Sequence, residues 1–259
     1  MQTAADFSTI TELAGDEVTR QQVASACHRY YWAAAYCEEK DVLEVACGSG
    51  FGLGYLAQRA RTIYAGDINP TLVARVTAHY GRRVPTQVID AQALPFGDNS
   101  LDVIVIFEAL YYLPDPSAFV AECRRVLRSG GYVLVTNSNK DMPDFNPSPY
   151  SHTYHGVQEL GRLFDPDAFT TTFFGYWTYE AAPLWQRALV PVKRAVVGLN
   201  LMPKTMNGKK FLKRIVFGSL VRMPIEISEG MIEYERAVPI PAGVPDRRHR
   251  VVYCAAQRH

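Results

Sequence analysis

One stretch, VLEVACGSGFGLGYLA (residues 42–57), limits the fold of this chain more than any other. It begins as a mostly apolar run and then has glycine at every second position from Gly48 to Gly54. Glycine adopts positive φ and lets a ligand approach the backbone closely. A glycine-rich turn between a strand and a helix is where an open α/β sheet binds nucleotide-like ligands. The stretch therefore predicts an α/β fold with a ligand site at this turn.

Two common nucleotide-binding motifs do not fit the stretch. The dinucleotide fingerprint G-x-G-x-x-G has no register here, because Leu53 or Tyr55 stands where its third glycine is required. No G-K-[ST] follows the glycines, so the stretch is not a phosphate-binding P-loop. These absences disfavour a nicotinamide dehydrogenase and a nucleoside triphosphatase.

Short β-rich runs alternate with helical patterns along the chain, as in sheets whose parallel strands are joined by crossover helices. The pattern predicts a Rossmann-like, seven-stranded, mostly parallel sheet with helices on both faces, in a single domain of residues 1–259. The seven predicted strands are residues 41–46, 62–66, 86–89, 102–107, 131–136, 169–177 and 250–257.

Three helices are predicted from local signals. Residues 17–39 are rich in alanine and tyrosine, and 156–164 form a short helix. A third helix starts with Asp115 as its N-cap and Pro116 in its first turn, and it is predicted to stop at Ser129-Gly130-Gly131.

Composition limits the kind of protein further. The chain has 259 residues and 48% hydrophobic residues, enough for a sizeable core. Its first twenty residues lack the features of a signal peptide and no apolar run is long enough to span a membrane, so we expect a cytoplasmic protein. The five cysteines are scattered in apolar surroundings, which favours reduced core thiols over disulfides or a metal site.

The glycine stretch also carries a family resemblance. Its pattern E-x-A-C-G-S-G-x-G, residues 44–52, resembles the first motif of class I S-adenosylmethionine-dependent methyltransferases. Further matches fall at the ends of the following predicted strands: Asp67 in YAGDIN, Asp90 in VIDAQALPF, and the pair Phe107-Glu108. LRSGGYVLVTN, residues 127–137, resembles the motif after the family's fourth helix.

The resemblance implies S-adenosylmethionine as cofactor and S-adenosylhomocysteine as product. It implies that Asp67 binds the ribose hydroxyls and that Asp90 meets the adenine amino group. Glu44 would either act indirectly on the methionine ammonium group or orient the glycine loop, and the helix at 17–39 would cover the cofactor. The full set of expected cofactor-binding residues is Arg29, Glu44, Ala46, Gly48, Gly50, Asp67, Ile68, Asp90, Ala91 and Phe107.

The catalytic residues are less clearly indicated. Such enzymes commonly have E-x-x-x-H after the fourth strand, where this chain has Glu108 followed by Tyr111-Tyr112. Either Tyr111 or Tyr112 replaces the histidine, or positioning alone supplies most of the rate. His152 and His155 follow the fifth strand and are candidates for a general base or a substrate contact; the alternative is that they stabilise local turns.

Residues 178–249 form a long insertion before the last strand, predicted to act as a lid within the domain. Residues 187–222 contain nine basic residues and no acidic one, whereas residues 1–186 contain 13 basic and 21 acidic ones. This basic segment could attract a phosphate-bearing acceptor, contact an anionic membrane surface, or be a solvated face. A nucleic-acid partner fits poorly, because the rest of the chain is acidic and no (D/N)PP(Y/F) motif follows strand four.

Several stretches, including LPFGDNSLDVIVIFEALYYL, resemble bacterial small-molecule and glycan-pathway methyltransferases. The resemblance implies methyl transfer to a small-molecule acceptor, such as a sugar or a phosphate-bearing metabolite. Two alternatives stay open: a catalytically inactive scaffold that binds the cofactor, and a methyltransferase that works at a membrane surface.

Overall fold

A computed structural model describes residues 13–148, 150–179 and 220–259. Five α-helices are present in this part of the chain: α1 (Arg20–Cys37), α2 (Leu53–Ala57), α3 (Pro70–Tyr80), α4 (Pro116–Val126) and α5 (Val157–Leu163). Its strands are β1 (Glu17–Thr19), β2 (Asp41–Val45), β3 (Thr62–Asp67), β4 (Thr86–Val88), β5 (Leu101–Phe107), β6 (Leu127–Ser138), β7 (Phe169–Thr178), β8 (Leu220–Arg222), β9 (Val238–Ile240) and β10 (His249–Arg258).

The main sheet has eight strands in the order β4-β3-β2-β5-β6-β10-β7-β9. Strands β2 to β6 are parallel, and β10 runs antiparallel between β6 and β7. The mostly parallel α/β fold is therefore confirmed, but the prediction of seven strands is wrong by one. The additional strand, β9, pairs with β7 at the edge of the sheet. It has only three residues and includes Pro239, and such a run gives almost no strand signal.

Helices cover both faces of the sheet because the strands are apolar on both sides. Val42 and Val103 belong to the hydrophobic cluster that includes α1 and α2, whereas Leu43 and Ile104 belong to the cluster that includes α4 and α5. Consecutive residues of a strand point to opposite faces, so each strand contributes to both clusters.

Two helix boundaries differ from the prediction. The first three residues of the predicted helix 17–39 form β1, and α1 begins only after Thr19, whose side chain accepts a hydrogen bond from the backbone of Gln22. Asp115 and Pro116 do start α4, but the helix ends at Val126, before the predicted stop. Leu127 already pairs with Leu101, so the glycines lie within β6.

Most of the predicted insertion, residues 180–219, lies outside the described residues, and so does the basic segment except for 220–222. The described chain starts again at β8, which pairs with β1 in a separate two-stranded sheet. Residues 223–231, here called the strap, then run along the outside of the glycine turn. The Ile227 amide donates a hydrogen bond to the Phe51 carbonyl oxygen at 2.7 Å.

Candidate functional site

A cavity of about 1130 Å³ opens at the carboxyl ends of the parallel strands. It lies at the topological switch point of the sheet, between β2 and β5, where the strand order reverses. Ligands usually bind at this point in open α/β sheets. Nine of the ten predicted cofactor residues line it, together with three of the four predicted catalytic residues. They are Arg29, Glu44, Ala46, Gly48, Asp67, Ile68, Asp90, Ala91, Phe107, Tyr111, Tyr112 and His152.

The glycine turn is held in a left-handed backbone conformation. Ala46, Gly48 and Gly50 have φ values of 52°, 57° and 71°. Gly50 is the one predicted cofactor residue that does not line the cavity. The absence of a side chain at Gly50 is required for packing, because a Cβ atom there would lie 2.9 Å from Leu53 Cδ1 and 3.0 Å from Val76 Cγ2. Gly50 therefore makes room for the neighbouring helices, whereas Gly48 faces the cavity.

Glu44 is a buried carboxylate beneath this turn. The Tyr30 hydroxyl donates a hydrogen bond to Glu44 Oε1 at 2.6 Å, while Glu44 Oε2 is buried with no hydrogen-bond partner among the described residues. Burial raises the pKa of Glu44 from 4.5 to about 7, partly opposed by Tyr30 and by the charge of Arg29. Such a group is well suited to a cationic ligand.

Asp67 and Asp90 lie on the β3 and β4 side of the cavity. Asp67 Oδ2 accepts a hydrogen bond from the Gly48 amide and Oδ1 accepts one from the Asn69 amide, both at 2.9 Å. Burial raises the pKa of Asp67, and these two bonds oppose the shift. Asp90 is exposed, and its Oδ1 accepts a hydrogen bond from the Gln92 amide at 2.9 Å. A carboxylate oxygen has two acceptor positions, so both side chains can still accept from hydroxyl or amino groups.

Glu108 lies on the opposite side, where β5 meets β6. Its backbone has φ 51°. Its Oε2 accepts hydrogen bonds from the Ser138 amide at 2.9 Å, the Ser138 hydroxyl at 2.8 Å and the Tyr111 hydroxyl at 3.2 Å. Glu108 was predicted as an acid at a strand end but was not among the predicted site residues. Ser138 gave no signal at all, since it is simply the last residue of a strand.

The two predicted tyrosines are largely inaccessible as bases. Burial and the nearby Glu108 raise the pKa of Tyr111 well above its usual value, and its ring stacks on Tyr154 at 4.2 Å. Burial also raises the pKa of Tyr112, whose hydroxyl donates to Ser148 Oγ at 3.2 Å. Both phenols therefore stay protonated at neutral pH.

The two predicted histidines lie in different environments. His152 is exposed at the cavity, and its backbone amide donates a hydrogen bond to the Tyr111 carbonyl oxygen at 2.8 Å. His155 is buried and does not belong to the cavity lining, and burial lowers its pKa. The structure thus brings His152, but not His155, to the predicted cofactor residues.

Within the described ranges, no group of three or more histidine, cysteine, aspartate or glutamate residues could hold a metal ion. No helix of this part of the chain is long and apolar enough to cross a membrane. The five cysteines are free thiols and all are buried.

Comparisons with known proteins point to one family. Residues 43–135 match the family described as methyltransferase domain. A probable S-adenosylmethionine-dependent methyltransferase of Mycobacterium tuberculosis is 40% identical over 111 residues, which are 43% of this chain and 40% of that protein. A ubiquinone biosynthesis O-methyltransferase of Pseudomonas fluorescens is 28% identical over 174 residues, covering 66% of this chain and 72% of the relative. The chain thus spans less than half the length of the mycobacterial relative.

The fold has close counterparts among solved structures. The YcgJ protein from Bacillus subtilis superposes with a TM-score of 0.57, covering 91% of this chain and 99% of the other, at 16% sequence identity. At this identity the likeness establishes the architecture of the sheet and its helices.

Proposed function

We propose that this chain, which contains a class I S-adenosylmethionine-dependent methyltransferase domain over residues 43–135, transfers the cofactor's methyl group to a small-molecule acceptor, such as a sugar or a phosphate-bearing metabolite. The observation that carries the proposal is the cavity itself. It joins the glycine turn and three carboxylates on one side to Glu108, Tyr111 and His152 on the other.

The residues on the first side fit S-adenosylmethionine. Glu44 Oε2 and Ser49 Oγ are buried without hydrogen-bond partners among the described residues, and both lie at the turn that would hold the methionine moiety. Asp67 would accept the ribose hydroxyls, and Asp90 with the Ala91 backbone would hold the adenine. Arg29 would bind the methionine carboxylate. Once bound, the cofactor supplies a methyl group that is already activated by its sulfonium.

The acceptor would lie on the β6 and β7 side of the cavity. A hydroxyl acceptor needs a proton acceptor close by. Because Tyr111 and Tyr112 hold their protons at neutral pH, His152 is the residue that we assign as general base. Its exposed ring can take a proton from the acceptor while the walls of the cavity fix the direction of attack.

Calorimetry and a transfer assay test the proposal together. We expect S-adenosylmethionine and S-adenosylhomocysteine to bind, and radiolabelled methyl to pass from the former to members of a hydroxyl-acceptor library. Binding without transfer to any acceptor would support the inactive scaffold instead. Binding of NADH with no binding of S-adenosylhomocysteine would overturn the proposal altogether.

Asp67→Ala tests the ribose assignment. Charge-assisted hydrogen bonds to both hydroxyls would be lost, so we expect cofactor binding to weaken by about 1.5–3 kcal/mol. The same change removes the acceptor for the Gly48 and Asn69 amides, so thermal unfolding is measured alongside. Asp67→Asn keeps the size of the side chain but not its charge and should weaken binding less. Unchanged affinity in both variants would refute the assignment.

A further inference from the structure

Glu108 is the cavity carboxylate that the cofactor assignments leave unused. Glu44, Asp67 and Asp90 are accounted for by the methionine, ribose and adenine groups of the proposed function, on which this inference rests. Glu108 follows β5 and lies next to β6, away from β3 and β4. It therefore belongs to the acceptor side of the cavity.

The carboxylate of Glu108 is held in one orientation. The Glu108 amide donates to the Thr136 carbonyl oxygen at 2.8 Å, which fixes the left-handed backbone at this residue. Three donors, two from Ser138 and one from Tyr111, all point at Oε2. No described residue donates a hydrogen bond to Oε1. Because Glu108 lines the cavity, Oε1 is the atom that it presents to a ligand.

The surroundings of Oε1 do not suit an anion. Of the charged side chains that line the cavity in the described part of the chain, Glu108 is the one on the acceptor side, whereas Arg29 and the other three carboxylates are assigned to the cofactor. The lining of the cavity also includes the aromatic residues Tyr111 and Tyr112, which follow Glu108 closely in the chain, and Trp177 of β7. Flat apolar faces next to a fixed hydrogen-bond acceptor favour a ligand with hydroxyl donors and a ring-shaped body.

We propose that Glu108 determines acceptor specificity: it accepts a hydrogen bond from a hydroxyl of a neutral, hydroxylated ring compound, such as a sugar or a catechol, and disfavours acceptors whose ring also carries a phosphate or carboxylate. This narrows the acceptor class to the uncharged alternative. Oε1 holds the hydroxyl, and the repulsion between carboxylates disfavours anions.

Glu108→Gln replaces the hydrogen-bond acceptor at the Oε1 position with a hydrogen-bond donor, while the side chain keeps its size. The Ser138 amide N–H points at the Oε2 position, so the carbonyl oxygen of the glutamine must occupy that position. Its NH₂ group then takes the place of Oε1 and presents donors to the cavity. The variant should therefore lose its preference for hydroxyl donors and tolerate anions.

The test uses protein saturated with S-adenosylhomocysteine and two probes of equal shape, 3,4-dihydroxybenzamide and 3,4-dihydroxybenzoate. We expect wild-type protein to bind the neutral amide at least about tenfold more tightly, and Glu108→Gln to reduce that ratio to about threefold or less. Glu38→Gln removes one exposed charge outside the cavity and should keep the wild-type ratio.

Three outcomes would overturn the inference: a wild-type ratio near one, a ratio that Glu108→Gln leaves unchanged, or no binding of the neutral diol. Failure of the proposed function would be seen separately, as absence of S-adenosylhomocysteine binding in the first titration. Because the readout is a ratio of two probes in one protein, a general loss of stability in the variant does not imitate the expected result.

Discussion

Glu44 is buried with a raised pKa, so we expect its ionisation to be coupled to cofactor binding. Between about pH 4.5 and 7 the folded protein keeps a proton that the unfolded chain has released, so this residue lowers stability as pH rises through that window. An ammonium group beside Oε2 would stabilise the charged form and lower the pKa of Glu44. Binding should then release this proton.

We therefore expect the affinity for S-adenosylhomocysteine to increase as pH rises from about 5 to 7 and then to level off. At pH 6, calorimetry in buffers with different ionisation enthalpies should detect the release of roughly one proton per cofactor. Glu44→Gln cannot release a proton and provides the control. Equal proton release by wild-type and variant protein would show that Glu44 does not meet the ammonium group.

The acids at strand ends could be placed from the sequence alone. Glu44 and Asp67 belong to neighbouring parallel strands, and the carboxyl ends of such strands meet at one edge of the sheet. His152 and His155 could not be separated in this way, because both lie in a loop. A loop has no repeat that fixes side-chain direction, so only the structure shows that one faces the cavity and the other is buried.

Helix α3 and the strap together support the glycine turn. Tyr80 at the end of α3 donates a hydrogen bond to the Gly50 carbonyl oxygen at 2.7 Å and accepts one from the Gly54 amide at 3.2 Å. In the strap, Glu226 bonds to His79 Nε2 at 2.6 Å, beside Tyr80. The turn is thus held on its outer side by groups that never touch the cavity.

Tyr80→Phe should weaken cofactor binding from outside the cavity. The change leaves the buried Gly54 amide without its partner, while the Gly50 carbonyl oxygen keeps only its hydrogen bond from the Leu53 amide at 3.1 Å. We therefore expect about 1–3 kcal/mol of lost stability and a measurable loss of S-adenosylhomocysteine affinity. Tyr64→Phe is the matched control, since no described residue forms a hydrogen bond with the Tyr64 hydroxyl. If Tyr80→Phe lowers the melting temperature but binds the cofactor like wild-type protein, the turn does not depend on α3.

These supporting contacts could not have been predicted from the sequence. The strap has neither a helical nor a strand period, and β1 and β8 are three residues each, so their pairing gives no local pattern. The start and the apolar face of α4 were predictable, because its N-cap and its apolar spacing are local signals, whereas its end was predicted too late because the glycines belong to β6.

Charge is divided unevenly along the chain. Residues 1–186 have more acidic than basic residues, whereas residues 187–222 have nine basic residues and no acidic one. The described flanks of the segment at 180–219 both lie near the cavity: Trp177 lines it, and β8 pairs with β1, directly before α1 and its cavity residue Gln22. We propose that this basic segment brings the protein to an anionic surface that presents its acceptor.

We therefore expect association with phosphatidylglycerol-containing vesicles that falls with added salt, and no association with pure phosphatidylcholine. Replacing Lys209, Lys210, Lys213 and Arg214 with glutamine should abolish this association, because each charge contributes about 1 kcal/mol to the free energy of membrane binding.

The matched control replaces four exposed arginines elsewhere, Arg75, Arg82, Arg124 and Arg247, with glutamine, which changes the net charge equally. An equal loss in both variants would mean that net charge alone drives the association, whereas no vesicle binding by wild-type protein would leave the segment as a solvated face. Loss confined to the first variant would establish that these four basic residues direct the protein to anionic membranes.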